Sequence, residues 1–320
     1  MDEKRTQLHT QAAERRVSML VPLSLICVLG TLWGASAALA KLAVQDGIQP
    51  LGFTLWNALG AGIALLAVCA WRGMLPRVTA EHVRYYTICG LLGVALPNLN
   101  LVVVVSHIPA GVVAVALSTT PIITYAIALL WRLERFDLIR ACGLCLALVG
   151  TLFIVLPRAS LPEPGAAPWF AMALLTPALY AVTNVLADRL RPAGSPSIML
   201  AAGMLVVSTF AVAPFALAFD QFQLLVPPFS SGEYAVLAQI GASVLAYILF
   251  FEILRMVGAV QFSVTSYVIT LTGIGWGVLF FAEAHSLWVW ASVAFIFAGL
   301  ALVTLKQGTV KVRQPSKSAT

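Results

Sequence analysis

The feature that most constrains this chain is a series of ten apolar segments separated by short connections. A membrane-spanning helix needs roughly 20 mostly apolar residues, and each of these segments approaches or exceeds that length. They cover residues 20–42, 51–71, 85–105, 110–131, 138–156, 168–188, 198–219, 233–254, 259–281 and 287–305. The connections leave no room for a separate soluble domain. The sequence therefore predicts an all-α integral membrane protein with ten transmembrane helices.

Composition and charge agree with this prediction. Hydrophobic residues make up 60% of the chain and charged residues only 10%, whereas in soluble domains roughly a quarter of the residues are charged. A net charge of +6 raises the question of a nucleic-acid partner. The basic residues, however, are scattered between the apolar segments and do not gather on one face. We expect this chain to lie in a lipid bilayer and to have no nucleic-acid partner.

The lysine and arginine residues predict how the chain is oriented. Positively charged loops resist translocation and stay on the cytoplasmic side of a membrane. If the N-terminus is inside, all of the 19 basic residues except Lys41 and Arg158 lie on the inner side. Both termini are therefore predicted to be cytoplasmic, and residues 1–17 and 306–320 to form disordered cytoplasmic tails.

Two stretches of the chain follow one plan. Residues 116–150 and 265–299 each contain an apolar segment, a polar break with a glutamate, and a second apolar segment that ends on glycine. In a register of 149 residues, Glu134 coincides with Glu283. That register contains five spans, and because five is odd, the second copy enters the membrane upside down. Inverted repeats are typical of secondary transporters, which bind their substrate at the repeat interface near the midplane.

Several motifs resemble the EamA-type members of the drug/metabolite transporter superfamily. The first span opens on Trp-Gly and ends on a lysine, the fourth span carries a proline followed by Glu-Arg, and the second half has a related Tyr…Glu…Gly pattern. These motif residues are Trp33, Gly34, Lys41, Pro121, Glu134, Arg135, Gly143, Gly150, Tyr267, Glu283 and Gly299. The second half departs from the family pattern at Thr270, where proline is usual. The resemblance covers nearly the whole chain.

The resemblance implies a secondary transporter and not an enzyme. It implies two inverted five-helix repeats, at residues 18–156 and 168–305, in a cell inner (plasma) membrane. A small metabolite would be moved, outward, by alternating access. An amino acid or a related amphipathic solute suits the family and the predicted pocket. A monomer or weak homodimer is expected, without a cofactor. A membrane scaffold or sensor without transport, and an importer of another metabolite class, remain as alternatives.

Uncharged polar and aromatic residues within the spans are the candidate substrate-binding residues, since they can bind a solute without burying a charge. With one lysine, the predicted set is Trp33, Lys41, Asn98, Ser118, Tyr180, Asn184, Tyr247, Tyr267 and Trp276. Lys41 either reaches the outer headgroups or attracts an anionic group of the substrate. Ser118 and Tyr267 are 149 residues apart, as are Asn98 and Tyr247, so both pairs are expected near the axis that relates the repeats.

Other reactive residue types predict structural roles. Glu134 and Glu283 are interpreted as helix-end residues, and the cysteines as small buried packing residues. Cys142 and Cys145 have CxxC spacing, but neither a second pair nor a histidine cluster accompanies them, so no metal site is predicted. No catalytic constellation is recognised. Gly30 and Gly34 predict close helix packing, and the glycines of residues 273–277 predict packing or a hinge.

Overall fold

The structure is a computed structural model that describes residues 2–155, 166–263, 265–283 and 286–305. Within these ranges every regular element is a helix. The helices are α1 (Asp2–Gln45), α2 (Pro50–Trp71), α3 (Ala80–Gly90), a π-helical turn (Leu91–Ala95), α4 (Leu96–Val105), α5 (Ala110–Leu117), α6 (Thr120–Leu130), α7 (Leu138–Val155), α8 (Ala166–Ala173), α9 (Leu175–Arg189), α10 (Ser197–Ala218), α11 (Ser231–Phe262), α12 (Thr265–Phe281) and α13 (Leu287–Leu305).

Seven helices or continuous helix pairs in the described part of the chain are long and apolar enough to cross a membrane. They are Val21–Gln45, Pro50–Trp71, Ala80–Val105, Ala110–Leu130, Ala166–Arg189, Ser197–Ala218 and Ser231–Ala259. Two further apolar helices, Thr265–Phe281 and Leu287–Gly299, are shorter. These findings support the predicted all-helical, multi-pass membrane architecture.

The first helix begins earlier than predicted. Residues 1–17 were expected to form a disordered tail, but α1 starts at Asp2 and runs without interruption into the first apolar segment. That prediction was wrong because it weighed polarity alone. The segment is rich in Glu, Arg, Gln, Ala and Leu, which favour a helix, and it has neither Gly nor Pro before Pro22. The predicted tail at 306–320 lies outside the described residues.

Proline interrupts three of the helices in the first part of the chain. A proline lacks the N–H that its helix position needs, and its ring collides with the carbonyl four residues earlier. Pro97 follows the π-helical turn at Leu91–Ala95, Pro121 follows the break between α5 and α6, and Pro177 follows the break between α8 and α9. Each break changes the direction in which the following side chains point.

Hydroxyl groups satisfy the carbonyls at the break between α5 and α6. Ser118, Thr119 and Thr120 each donate a hydrogen bond to the carbonyl oxygen three residues earlier, at 2.6, 2.8 and 2.6 Å respectively. All three side chains are buried. An unpaired carbonyl in this environment would cost free energy, so these bonds permit an interruption inside an apolar bundle.

Helices α1, α5 and α12 pack closely through small residues. A Cβ atom on Gly30 would lie 2.5 Å from the Cβ of Val268, and one on Gly273 would lie 2.5 Å from the Cβ of Ala114. The Thr272 hydroxyl oxygen lies 3.1 Å from the carbonyl oxygen of Gly30 on α1 and 2.8 Å from that of Val268 on its own helix, so α12 and α1 are in close contact here. The predicted close packing at Gly30 is therefore confirmed. Helix α12 packs closely against α1 at Gly30 and against α5 at Ala114.

This packing gives a prediction for a matched pair of substitutions in α12. Gly273→Ala forces a methyl group against Ala114 and should destabilise the protein by about 1–3 kcal/mol through overpacking. Gly275→Ala is the control, because nothing lies within 4 Å of its added Cβ and the gain in helix propensity should make it neutral or slightly stabilising. Thermal denaturation of both variants in the same detergent checks the difference. Equal melting temperatures would contradict the packing seen here.

The outer surface of the bundle carries three of the five cysteines. Cys27, Cys142 and Cys145 are exposed, whereas Cys69 and Cys89 are buried. The expectation that all five are buried packing residues was therefore wrong for the first three. The physical reason is that the outside of a membrane bundle faces lipid, so an apolar residue within a span need not point inward.

Candidate functional site

A cavity lies inside the bundle, where the interrupted helices meet α1, α10, α11 and α12. It has about 770 Å³ of empty space, including the part that is open to the surroundings. Its wall consists of Trp33, Ser36, Gly93, Asn98, Leu101, Leu117, Thr120, Tyr180, Thr183, Asn184, Met204, Gln239, Tyr247, Phe250, Phe262, Thr265, Ser266 and Ile269. Among these lining residues none is charged, so the wall suits a solute of little net charge.

Aromatic rings form one side of the cavity. The ring of Trp33 lies 6.1 Å from that of Tyr247, 5.8 Å from that of Phe250 and 6.3 Å from that of Phe262, centroid to centroid. Phe250 and Phe262 are themselves 5.0 Å apart in an edge-to-face arrangement. Such mutually packed rings hold one another in place and offer a large apolar surface. Trp33, on α1, is the ring that all three others contact.

Four hydroxyl groups of the wall already donate hydrogen bonds within the protein. Thr120, Thr183, Thr265 and Ser266 each donate a hydrogen bond of 2.6–2.9 Å to a carbonyl three or four residues earlier in the chain. A hydroxyl has a single proton to donate. These side chains therefore have only acceptor capacity left for a bound solute.

Two amide-centred contacts tie the cavity wall together. Asn98 donates to the carbonyl of Val94 at 2.9 Å and lies 3.5 Å from the hydroxyl of Tyr247. On the neighbouring part of α11, Gln239 donates to Ser243 at 3.1 Å. Both contacts involve α11, and they place polar groups beside the apolar rings of the same wall.

Five of the nine side chains predicted from the sequence lie in the cavity wall. They are Trp33, Asn98, Tyr180, Asn184 and Tyr247. Asn98 and Tyr247, which were expected to meet because they are 149 residues apart, are within 3.5 Å of each other. Residues chosen as uncharged polar or aromatic positions within the spans therefore converge on one cavity from α1, α4, α9 and α11.

Ser118 and Tyr267, predicted as a central pair, lie outside the wall. The Ser118 hydroxyl is used on the carbonyl of Val115 at 2.6 Å, and the Tyr267 ring packs against Phe297 with centroids 6.0 Å apart. Their sequence neighbours, including Ser266, take the lining positions instead. Ser118 lies in the break after the last residue of α5, and on α12 the lining residues are Thr265, Ser266 and Ile269 instead of Tyr267.

Trp276 also lies away from the cavity. Its ring stacks on that of Phe280 with centroids 5.3 Å apart, one helical turn further along α12. Neither ring belongs to the cavity wall. The prediction had assigned Trp276 to the site from its residue type and its position in a span, without information on which face of α12 turns inward.

Lys41 neither reaches the headgroups nor faces a substrate in this structure. Its Nζ lies 2.6 Å from Oε1 of Glu283 and 4.5 Å from the ring centroid of Phe281. The side chains are 18% and 8% exposed, so the ion pair is largely buried. Both readings of Lys41 considered from the sequence are therefore corrected: its partner is a residue far away in the chain.

Glu283 also completes the start of α5. Its carboxylate accepts hydrogen bonds from the backbone N–H groups of Ala110 and Gly111 at 3.0 and 3.1 Å. The first N–H groups of a helix have no partner within the helix, and a carboxylate there is favoured by the helix dipole. The helix-end role predicted for Glu283 is thus observed, although the helix is not its own. One carboxylate joins α1, α5 and the end of α12.

The Lys41–Glu283 ion pair predicts an acid-dependent loss of stability. Burial alone would raise the pKa of Glu283, but the bonds from Lys41 and from the two N–H groups outweigh it and hold the pKa below the ordinary value of 4.5. As the pH falls below 4.5, the unfolded chain takes up the proton first, so stability declines until the lower folded pKa is passed.

Melting temperatures of the wild type and of Glu283→Gln, measured in detergent from pH 7 to pH 3, test this expectation. The wild type should be the more stable protein at pH 7, and the difference should shrink in the acid range. A difference that stays constant with pH would show that ionised Glu283 is not the stabilising species.

Sequence reasoning missed several members of the wall, and Gln239 is the most informative. Gln239, Ser243 and Tyr247 recur at intervals of four residues on α11 and therefore share a face. Gln239 is 3% exposed. Once Tyr247 was chosen, this periodicity could have found Gln239. No comparable signal existed for Phe250 or Phe262, which look like any other apolar residue in a span.

Apolar helices of membrane-crossing length, packed around a cavity whose lining residues carry no charge, define a multi-pass membrane protein with a candidate solute site. The model of the EamA-like transporter family matches residues 20–156 and again residues 167–305. The chain belongs to the EamA-like transporter family.

Curated relatives match over a shorter region. A WAT1-related protein of Arabidopsis thaliana is 30% identical over 115 residues, which are 35% of this chain and 32% of the plant protein. Another WAT1-related protein of the same plant is 27% identical over 137 residues, 42% of this chain and 38% of the plant protein. The matched regions thus span about a third of the length of these relatives.

A solved crystal structure supports the fold over nearly the whole chain. It aligns with a TM-score of 0.60 at 17% sequence identity and covers 89% of this chain and 97% of the other one. At this identity the likeness concerns the fold alone. The helical arrangement described above therefore has an experimentally determined counterpart.

Proposed function

We propose that this protein is a secondary transporter that exports a small, uncharged or zwitterionic metabolite, and that amino acids and related amphipathic solutes are its substrates. The observation that carries the proposal is the cavity wall, in which four packed rings stand beside amide and phenol groups without a charged side chain. The rings suit the apolar part of such a solute, and the amides suit its polar part.

Five residues form the proposed binding site, namely Trp33, Asn98, Tyr180, Asn184 and Tyr247. Each lies in the cavity wall, and they come from helices in both halves of the chain. In a transporter made of two halves, a site between the halves can be exposed to either side of the membrane when one half rocks against the other. Alternating access of this kind is the proposed mechanism.

The proposed topology is ten spans in two inverted five-helix repeats, at residues 18–156 and 168–305. The protein would lie in the inner membrane of the cell, with both termini in the cytoplasm. Two family matches in one chain and the side-biased distribution of Lys and Arg support it. Reporter fusions test it: a fusion near Arg158 should be active only outside the cell, and one at the C-terminus only inside. Activity of both on the same side would contradict the inverted arrangement.

Transport by the purified protein tests the function itself. The protein is reconstituted in liposomes loaded with labelled amino acids, and efflux is followed against protein-free liposomes, with and without an imposed pH gradient. We expect efflux of at least one amino acid, and stabilisation of the detergent-solubilised protein by the same compound. If no amino acid or related metabolite is transported or raises the melting temperature, the proposed substrate class is wrong. A scaffold or sensor role would then be favoured.

A further inference from the structure

A buried chain of hydrogen bonds connects α2 to the cavity through α11. Gln239 donates from Nε2 to the Ser243 hydroxyl at 3.1 Å, and Ser243 donates to Oδ1 of Asn57 at 2.7 Å. The three side chains are 3%, 1% and 1% exposed. Since the serine hydroxyl has one proton and gives it to Asn57, it can only accept from Gln239. With the Asn57 amide oriented so that its Oδ1 accepts from Ser243, the end of the Gln239 amide that contacts Ser243 is Nε2.

The other end of the Gln239 amide is unused. Within the described part of the chain, Oε1 of Gln239 is buried and has no hydrogen-bond partner, although Gln239 belongs to the cavity wall. A buried polar atom without a partner costs free energy, because it has lost its hydrogen bonds to water. Such an atom in a binding cavity is a recognition element, because a solute that supplies the missing donor removes that cost on binding.

We infer that Gln239 is a specificity-determining residue, whose carbonyl oxygen accepts a hydrogen bond from an N–H group of the substrate. The substrate class is thereby narrowed to solutes with an ammonium or amide N–H close to an apolar body. The ring wall around Trp33 takes that body, and Ser243 with Asn57 holds the amide in the orientation that presents its oxygen. The inference rests on the proposed function, since it requires a solute that enters this cavity.

Charge complementarity alone does not explain recognition here, because no lining residue carries a charge. The hydroxyls of Thr120, Thr183, Thr265 and Ser266 donate to their own helices and keep oxygen lone pairs that can also accept from a solute. An ammonium group has donors only and needs acceptors. Gln239 offers a carbonyl oxygen that no described protein group uses, and a neutral acceptor of this kind accommodates a zwitterion without adding a buried charge.

The test compares L-phenylalanine with its N,N,N-trimethyl betaine, which keeps the carboxylate, the ring and the net charge but has no N–H. Binding of both probes to the detergent-solubilised protein is measured for the wild type and for Gln239→Met. We expect the substitution to weaken phenylalanine binding about tenfold or more, as for a hydrogen bond to a charged group. Binding of the betaine should change less than twofold. Gln223→Met, at an exposed glutamine in the loop before α11, is the control and should alter neither.

Equal weakening of both probes by Gln239→Met would overturn the inference while leaving the transport function standing. Phenethylamine, which has no carboxylate, gives a further check. If Gln239→Met weakens phenylalanine binding but not phenethylamine binding, the inference is also overturned, because the Gln239 amide would then be donating to the carboxylate. If neither probe binds the wild type and no amino acid moves in liposomes, the proposed substrate class has failed as a whole. These outcomes separate the two claims.

A second measurement uses only the wild-type protein, so its result does not depend on whether the Gln239 variant folds. In the series of phenylalanine with zero, one, two and three N-methyl groups, size grows at every step, but the last N–H disappears only at the third methyl. The largest loss of affinity, about tenfold, should therefore fall on that final step. A uniform decline along the series would contradict an acceptor at Gln239.

Discussion

Glu283→Ala should destabilise this transporter by about 3–5 kcal/mol, the usual cost of removing one member of a buried ion pair. Two losses combine in this variant. The ammonium of Lys41, at present 2.6 Å from the carboxylate, would remain charged in a largely buried position. The N–H groups at the start of α5 would lose their acceptor.

Thermal or denaturant unfolding in a single detergent measures this effect, and Glu252→Ala provides the matched control. Glu252 also forms an ion pair, with Arg255 at 2.8 Å, but those side chains are 35% and 57% exposed, and exposed pairs contribute only about 0.2–1 kcal/mol. In the double variant Lys41→Met/Glu283→Ala the loss should be smaller than the sum of the single losses. If Glu252→Ala and Glu283→Ala are equally destabilising, the buried pair has no special role.

Trp33→Ala should reduce apparent substrate affinity by about tenfold to a hundredfold, the second large effect expected here. Trp33 lies in the cavity wall and contacts Tyr247, Phe250 and Phe262. Its removal takes away ring surface on which a solute packs and leaves the other rings without support. Each tenfold loss corresponds to about 1.4 kcal/mol. Efflux from liposomes over a range of internal concentrations gives the affinity.

Two further tryptophan variants make this result interpretable. Trp33→Phe keeps a ring in the wall and should retain most of the affinity. Trp276→Ala removes a ring of the same type from α12, where it stacks on Phe280 away from the cavity, and should leave the affinity within about twofold of the wild type. A strong effect of Trp276→Ala together with a weak one of Trp33→Ala would show that the solute binds elsewhere.

The helices could be predicted from the sequence because apolar length alone determines them. Residue type within a span predicted five side chains of the cavity wall, including Asn98, Tyr180 and Asn184, which follow the interruptions at Pro97 and Pro177. The face of α12 that meets the cavity could not be predicted, because a single sequence does not show which helices are its neighbours, and Tyr267 and Trp276 lie outside the wall. Ser118 lies in the break between α5 and α6, where its hydroxyl bonds to the carbonyl of Val115.

The Lys41–Glu283 ion pair could not have been predicted, because nothing local links residues separated by 242 positions. The repeat register pairs Glu283 with Glu134 and so predicts the same helix-end role for both glutamates. The physical partner of Glu283 is instead decided by the close packing of α1, α5 and α12 at their small residues. A single sequence contains those small residues but not the helix neighbours that they allow.

The hydroxyls that turn back to their own helices have a consequence for the range of solutes. A wall that distinguishes substrates mainly by apolar fit separates compounds differing by one methylene by only about 1–3 kcal/mol. With the hydroxyl protons of Thr120, Thr183, Thr265 and Ser266 engaged, strict discrimination among side-chain types has little chemical basis. A cavity built in this way would accept several related solutes.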